Sequence, residues 1–357
     1  VNFDYNEEQQ LLADSVRRFL AKDYQFEARR KIVASEHGWS PAVWKTFAEM
    51  GLMGLPFPSE HGGFGGGAVD LMGVMEAFGE ALVVEPYLPT LIGGLALAGS
   101  KAAGSILPGV VEGNTRLAFA HSEQGARYDL AHVKTKARRA GDAWTLEGAK
   151  AAVVGAPMAD RLVVSAQTGD GIGLFLTEKP QARAYRTLDE IRACDLVFTG
   201  QRAQRLEGGL EVIEALTDFA AALVCAEAVG AMKFACDATL EYLKARKQFG
   251  VPLGTFQALQ HRMVDMFIAQ EQARSMACLA CSKVDQSVDS RERARAVSAA
   301  KVKIADTARH VSQESVQLHG GMGMSEELKI SHTFRRLTVI AGQYGDADHH
   351  LARFASL

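Results

Sequence analysis

Read for apolar spacing, the chain runs helical, then β, then helical again. Over residues 7–20 apolar side chains recur at Leu11, Leu12, Val16, Phe19 and Leu20, the three-and-four spacing of one helix face. A second helix is predicted over 41–50, with Pro41 suited to its first turn. Pro56, Pro58 and the glycine-rich run from His61 to Gly67 break the pattern, and Leu71, Val74, Met75 and Phe78 restore it. Residues 91–106 are rich in Ala, Gly and Leu, which suits closely packed helices.

Near Arg116 the period shortens. RLAFA, HVKTKA, AWTLEG, RLVVSA, GIGLFLTE and CDLVFTG are short β-rich runs separated by turn residues, and Ala140-Gly141-Asp142 reads as a hairpin turn. Strands at this spacing predict a small barrel or sandwich of about 90 residues. The helical period returns over 212–246, 257–285 and 291–319, with Leu259, Met263, Met266 and Phe267 marking one face of the second stretch. Long alanine-rich helices joined by short loops predict a four-helix-type bundle. The expected fold class is therefore mainly α with a β insert: an N-terminal helical domain over 1–115, a middle small β-barrel or sandwich over 116–207, and a C-terminal four-helix bundle over 208–357.

Composition narrows the functions. A chain of 357 residues with 48% hydrophobic and 23% charged positions is globular. Its net charge of −3 argues against a polyanion as main partner, although Arg138 and Arg139 form a local basic cluster open to a phosphate. Five scattered cysteines do not make a secreted disulfide framework. Cys278-x-x-Cys281 lies in an alanine-rich helical stretch with no second ligand pair, so small apolar helix residues are expected there and no metal. VNFDYNEEQQ contains no apolar signal-peptide core, and no apolar run approaches the roughly 20 residues that span a bilayer. The expectation is a cytoplasmic protein without a membrane or nucleic-acid partner.

Two short motifs carry candidate chemistry. Arg246, at a helix end, offers a planar, always-charged fork suited to a pyrophosphate, and Phe249 beside Gly250 offers a flat apolar surface at a backbone turn. Taken alone, these residues read first as a helix terminus with a surface Arg and a buried Phe. Gln317-Leu318-His319-Gly320-Gly321-Met322-Gly323 ends a helix in glycines that let backbone amides approach a nucleotide. Alone, that loop reads as a C-cap.

Four segments in order resemble the acyl-CoA dehydrogenase family. YNEEQQLLADSVRRFL is similar to its opening helix, MGLMGLPFPSEHGGFGG to its "GL-GL-PEE-GG-G" segment, YLKARKQFGVPLGTFQALQ to its "ERKQFG…Q" element, and VQLHGGMGMSEE to its "Q-GG-G" loop. The resemblance covers nearly the whole chain and extends to the short subunits of paired, pimeloyl-CoA-type enzymes. It implies FAD as cofactor, an acyl-CoA substrate, an electron-transfer flavoprotein as acceptor, and a hetero- or homo-oligomer, usually a tetramer. It also implies that Arg246, Phe249, Gln257, Gln317, Gly320, Gly321 and Gly323 bind the ADP half of FAD, largely across a subunit interface.

The flavin-ring half departs from the family pattern. Against "TEP-AGSD", Ser122–Asp129 keeps Glu123, Gly125, Ala126 and Asp129 but has Arg127 and Tyr128 in place of Gly and Ser. Against "K-WITNG", Lys150 is kept, but Ala152 stands where Trp would shield the isoalloxazine and Val154 where Thr would hydrogen-bond it. The catalytic Glu of the family's "YEGT" element falls on Tyr344 or Gly345, depending on the alignment. An alternative seat, early in the first bundle helix, falls on Ala220. Asp218 is two residues away, roughly 200° around the helix. Asp346, just past the first seat, is the candidate substitute base, although the stretch reads first as a solvated helix start with Asp346 as its N-cap. His349 and His350 read as an exposed polar turn. Three functions follow: a subunit supplying ADP-side FAD contacts to a catalytic partner, a self-sufficient enzyme using Asp346, or a non-catalytic binding protein, since one branch of this fold associates with DNA.

Overall fold

A ring of strand pairings that closes on itself organises the middle of the chain. The computed structural model describes residues 5–141, 143–286 and 289–357. Its main strands are β1 (Leu117–Ala120), β2 (Lys136–Ala140), β3 (Ala143–Val154), β4 (Arg161–Thr168), β5 (Gly171–Glu178), β6 (Gln181–Arg186) and β7 (Arg192–Leu206). β2, β3, β7, β5 and β4 pair in that order, and β4 returns to β2 through Lys136 and Gln167. This makes a small barrel, with β1 added beside β4 and β6 beside β7. Leu146, Val164, Phe175, Leu196 and Phe198 fill its interior. Asp142 of the predicted turn lies outside the described residues, but β2 and β3 pair antiparallel as far as Ala140 and Ala143.

Sequence periodicity missed β6, because its QARAYR residues are almost all exposed and show no apolar alternation. It also cut β3 short. That strand continues to Val154 through a register shift between Lys150 and Val153, a bulge that no hydrophobic pattern announces.

The helices are α1 (Glu7–Asp23), α2 (Phe26–Ala34), α3 (Pro41–Glu49), α4 (Ala68–Ala81), α5 (Tyr87–Leu97), α6 (Ala103–Val111), α7 (Leu210–Ala245), α8 (Gln257–Asp285), α9 (Ser290–His319), α10 (Lys329–Gly342) and α11 (Ala347–Ser356). Contacts divide the chain into two compact units, so the N-terminal 115 residues contribute to both. One unit comprises Lys31–Gly66 and Val84–Ala220. In it the barrel is joined by α3, started by Ser40 as N-cap, and by α5 and α6. Trp44 Nε1 donates to the Gly113 carbonyl at 2.8 Å, and the Tyr87 hydroxyl to that of Leu52 at 2.9 Å.

The other unit comprises Val1–Arg30, Gly67–Val83 and Ala221–Leu357. It is a helical bundle built around α7, which is buried almost without interruption from Ala220 to Met232. α4 crosses α7 at van der Waals contact of the two backbones. A Cβ on Gly79 would fall 1.9 Å from the Glu227 carbonyl oxygen, and one on Gly230 would fall 1.8 Å from that of Glu76. The Asp285 carboxylate, at the end of α8, accepts the Ala68 and Val69 N–H groups at 2.6 and 2.8 Å and so caps α4 from 217 residues away. On α8, Met266 is buried and Leu259 and Met263 are half-buried, but Phe267 is 57% exposed. The predicted apolar face is therefore one residue too wide. Cys278 and Cys281 are buried, free thiols of α8, and no metal-binding cluster occurs among the described residues.

Candidate functional site

The ADP-side motifs lie at the ends of α7 and α9. The Arg246 N–H still bonds the Tyr242 carbonyl at 2.8 Å. The chain then turns back through a two-residue hairpin in which Lys247–Gln248 pairs with Val251–Pro252. Its turn, Phe249 and Gly250, has φ of 56° and 84°, the doubly positive geometry that suits a tight hairpin and that a phenylalanine rarely adopts. Phe249 is 89% exposed and meets only the edge of Phe256. The sequence reading allowed a buried Phe here, and the structure excludes it. Arg246 is exposed and makes no ion pair among the described residues. Gln257 opens α8 and is exposed.

At the end of α9, Gln317 is exposed and its carbonyl accepts the Gly320 N–H. Gly320 has φ 60°, and both it and Gly321 face open space where a Cβ would be. Gly323 differs: it is buried, and a Cβ there would fall 2.5 Å from the Val316 carbonyl oxygen. A guanidinium without an ion pair, an exposed aromatic face and a glycine turn that faces open space are groups of the kind that fit an adenosine diphosphate.

The ring-side motifs belong to the barrel unit. Lys150, on β3, is 1% exposed, and its ammonium donates to Glu123 Oε1 at 2.8 Å, Ser165 Oγ at 2.9 Å and the His121 carbonyl at 3.0 Å. The Glu123 carboxylate also accepts the Lys134 and Thr135 N–H groups. Burial pushes the Glu123 carboxyl up, but the Lys150 and Thr135 hydrogen bonds outweigh it and hold the pKa at about 2. Burial pulls Lys150 down to about 8 against the attraction of Glu123. This pair staples the loop after β1 to the start of the ring motif. Its signal in the sequence was that both Glu123 and Lys150 match the family pattern.

The ring surface itself is not rebuilt. Ala152 is exposed at the β3 bulge with φ 54°, and its N–H is taken by Asp195 Oδ1 at 2.9 Å, which also accepts the Tyr185 hydroxyl. Arg127, where the family pattern has Gly, is exposed with φ 50°. Neither an aromatic wall nor a free polar anchor stands at 152 or 154, so these residues do not fit an isoalloxazine ring as the ADP-side residues fit their group.

Neither base seat holds an acid. Ala220 is fully buried in α7, and the nearby Asp218 is 1% exposed. Tyr344 and Gly345 form the α10–α11 turn at φ 59° and 118°. A Cβ on Gly345 would lie 2.4 Å from His350 Nε2. His350 is not part of an exposed polar turn, as the sequence suggested, but is 1% exposed. Its Nε2 bonds the Tyr344 carbonyl at 3.0 Å and its Nδ1 the Ser298 hydroxyl at 3.2 Å. A carbonyl only accepts, so Nε2 carries the proton; burial and the neighbouring Lys301 hold the ring neutral, with a pKa near about 3. Lys301 secures the same turn by donating to the Ile340 and Gln343 carbonyls, each at 2.8 Å. Asp346 is the N-cap of α11, with Oδ1 accepting the His349 N–H at 2.8 Å. Of the two readings the sequence allowed it, the cap is the one its contacts display. One acid near this turn escaped sequence reasoning. Glu227, 4% exposed, is locked by two 2.6 Å bonds to Arg336, and so is occupied rather than available as a base.

Comparison with known proteins places this geometry. Residues 6–113, 118–200 and 207–355 match, in turn, the N-terminal, middle and C-terminal domain models of acyl-CoA dehydrogenase. Acyl-CoA dehydrogenase IpdE2 of Mycolicibacterium smegmatis is 30% identical over 349 residues, covering 98% of this chain and 98% of the relative. Among solved structures, a variant of the Tcur3481-Tcur3483 steroid ACAD superposes with a TM-score of 0.90 at 31% identity, covering 98% of this chain and 97% of that one. The ChsE4-ChsE5 complex from Mycobacterium tuberculosis shares the fold with a TM-score of 0.92 at 24% identity, over 100% and 98% of the two chains. Acyl-CoA dehydrogenases are FAD-dependent oxidoreductases, and this chain is a member of the acyl-CoA dehydrogenase family.

Proposed function

We propose that this chain is the base-less subunit of a heteromeric acyl-CoA dehydrogenase, in which its Arg246 hairpin and Gly320–Gly321 turn hold the ADP half of an FAD whose ring is seated in a partner chain. The partner carries the carboxylate that removes the proton alpha to the thioester, and an electron-transfer flavoprotein accepts the electrons. The observation that carries this reading is the contrast between the two halves. The ADP-side surface is open and unpaired, while the turn that should hold the base is closed by His350. Loss of function by drift would not spare one side. Two of the structural relatives are two-component assemblies by name, which supports the same division of labour.

The test is to purify this chain alone and together with an acyl-CoA dehydrogenase chain that has the Glu. FAD content is read from visible absorbance and turnover from acyl-CoA-dependent dye reduction. The chain alone is expected to give no turnover and the pair to give both FAD and turnover, with Arg246→Ala in this chain lowering the FAD content of the pair. Oxidation of acyl-CoA by this chain alone, with stoichiometric FAD, would end the proposal.

A further inference from the structure

The Arg246 hairpin and the Gly320–Gly321 turn come from residues more than 70 positions apart, and the glycine turn has no side chains of its own to hold it. Between them lies one aromatic contact. Tyr242, one turn before Arg246 on α7, stacks on His319, the last residue of α9, with ring centroids 4.3 Å apart and planes 27° apart. Each ring is fixed from its own side. The Tyr242 carbonyl accepts the Arg246 N–H, so this residue holds the root of the hairpin. His319 Nδ1 lies 2.8 Å from the Ser315 carbonyl; because a carbonyl only accepts, Nδ1 must be the donor, which fixes the orientation of the imidazole. His319 is 5% exposed and directly precedes Gly320.

The two exposed glycines themselves are not packed. No heavy atom lies within 4 Å of where a Cβ would sit on Gly320 or Gly321. The glycine turn is held to the bundle from below, by the close fit of Gly323 on Val316 and His319. A displacement of the His319 ring would therefore pass directly into the position of the Gly320 backbone.

We propose that Tyr242 and His319 are positioning residues of the ADP subsite: their stack sets the spacing between the Arg246–Phe249 hairpin and the Gly320–Gly321 turn, so that guanidinium and backbone amides meet a single diphosphate. This rests on the reading of those two elements as the FAD-binding half-site and extends it to residues that touch no ligand. Offset-stacked rings hold two elements at a fixed separation while allowing little tilt, which is what a two-part anion site requires.

The test is an FAD titration of the purified flavoprotein after it has been stripped of cofactor, followed by quenching of flavin fluorescence, with urea unfolding of every variant alongside. His319→Ala and Tyr242→Leu are expected to raise the FAD dissociation constant about threefold to tenfold, the range for loss of an aromatic pair. His319→Phe and Tyr242→Phe keep the stack and are expected to stay within about twofold of the parent. A rescue by Phe cannot come from the histidine hydrogen bond, so it isolates the ring contact from general core stability. If His319→Ala binds FAD like the parent while Arg246→Ala loses it, the positioning role is overturned and the half-site stands. If His319→Phe fails to restore affinity, the stack is likewise overturned. If Arg246→Ala itself binds normally, the half-site reading falls and this inference falls with it.

Discussion

Filling the vacant base seat should damage the fold before it restores any chemistry. Gly345 has φ 118°, a conformation that costs an L-residue about 1–3 kcal/mol. A Cβ there would also sit 2.4 Å from His350 Nε2 and 2.8 Å from His349 Cδ2. His349 is half-buried and able to give way, but His350 is held by the Tyr344 carbonyl and the Ser298 hydroxyl. Displacing it forfeits two hydrogen bonds of about 0.5–1.5 kcal/mol each. Gly345→Ala should therefore lose about 2–6 kcal/mol of stability in urea unfolding. The loss should be non-additive with His350→Ala, because removing the imidazole relieves the collision and leaves only the backbone strain. A coupling of about 1–3 kcal/mol is expected in the double-mutant cycle. Additivity to within about 0.5 kcal/mol would refute the argument, as would a Gly345→Glu chain that folds normally and oxidises acyl-CoA alone.

Two neutral histidines, half-buried His121 and buried His350, should make the protein acid-labile. Burial and the adjacent Lys150 lower His121 from 6.5 to about 4, and burial with Lys301 lowers His350 to about 3. Both folded-state values lie below the unfolded one, so the stability they confer is complete above pH 6.5 and is withdrawn as pH falls toward 4 and 3. Urea midpoints should decline across that window, and His121→Gln should flatten the upper part of the decline; a pH-independent midpoint would contradict it. Glu227→Gln removes the carboxylate that takes two bonds from the buried Arg336 guanidinium and should cost about 3–5 kcal/mol, whereas pairing it with Arg336→Met should cost less, as denaturant titration would show. Asp346→Ala removes an N-cap worth about 1 kcal/mol, and dye reduction by the assembled enzyme should persist. Abolished turnover in a folded Asp346→Ala complex would reinstate that residue as the base.

The architecture was legible wherever one period ran for many residues. Residues 212–246, 257–285 and 291–319 were expected as helices, and α7, α8 and α9 occupy Leu210–Ala245, Gln257–Asp285 and Ser290–His319. Their apolar and alanine positions recur over eight turns, so boundary noise matters little. β6 was invisible because it is an edge strand with exposed side chains, held by backbone pairing to β7 that leaves no mark in the sequence. The Gly345 seat could be named from the resemblance, but not the reason a side chain does not fit there. That reason is His350, five residues from Gly345 and brought against it by the turn. Adjacent histidines before a basic helix end look solvated until the burial of one of them is known. The Tyr242–His319 contact was hidden for a similar reason: 77 residues separate the two rings, and no periodicity links them.

The glycines themselves separate what the fold requires from what a ligand requires. Gly79, Gly230 and Gly323 are forced by packing, since a Cβ at any of them would collide with backbone at 2.5 Å or less. Their retention says only that the bundle is intact. Gly321 is under no such constraint: its φ is not positive, and nothing lies within 4 Å of a Cβ placed there. An alanine would cost this chain no collision and no backbone strain, and would gain the usual small entropic benefit of about 0.4–1 kcal/mol from a less flexible unfolded chain. A glycine where the fold would accept alanine is consistent with the proposed half-site, in which a ligand would need the space. In the half-site proposed above, with Arg246 and Phe249 exposed, that group would be a nucleotide diphosphate. Open space and an unstrained backbone are shared by Gly99, Gly104 and Gly169, so Gly321 supports the proposed half-site only together with the exposed Arg246 and Phe249.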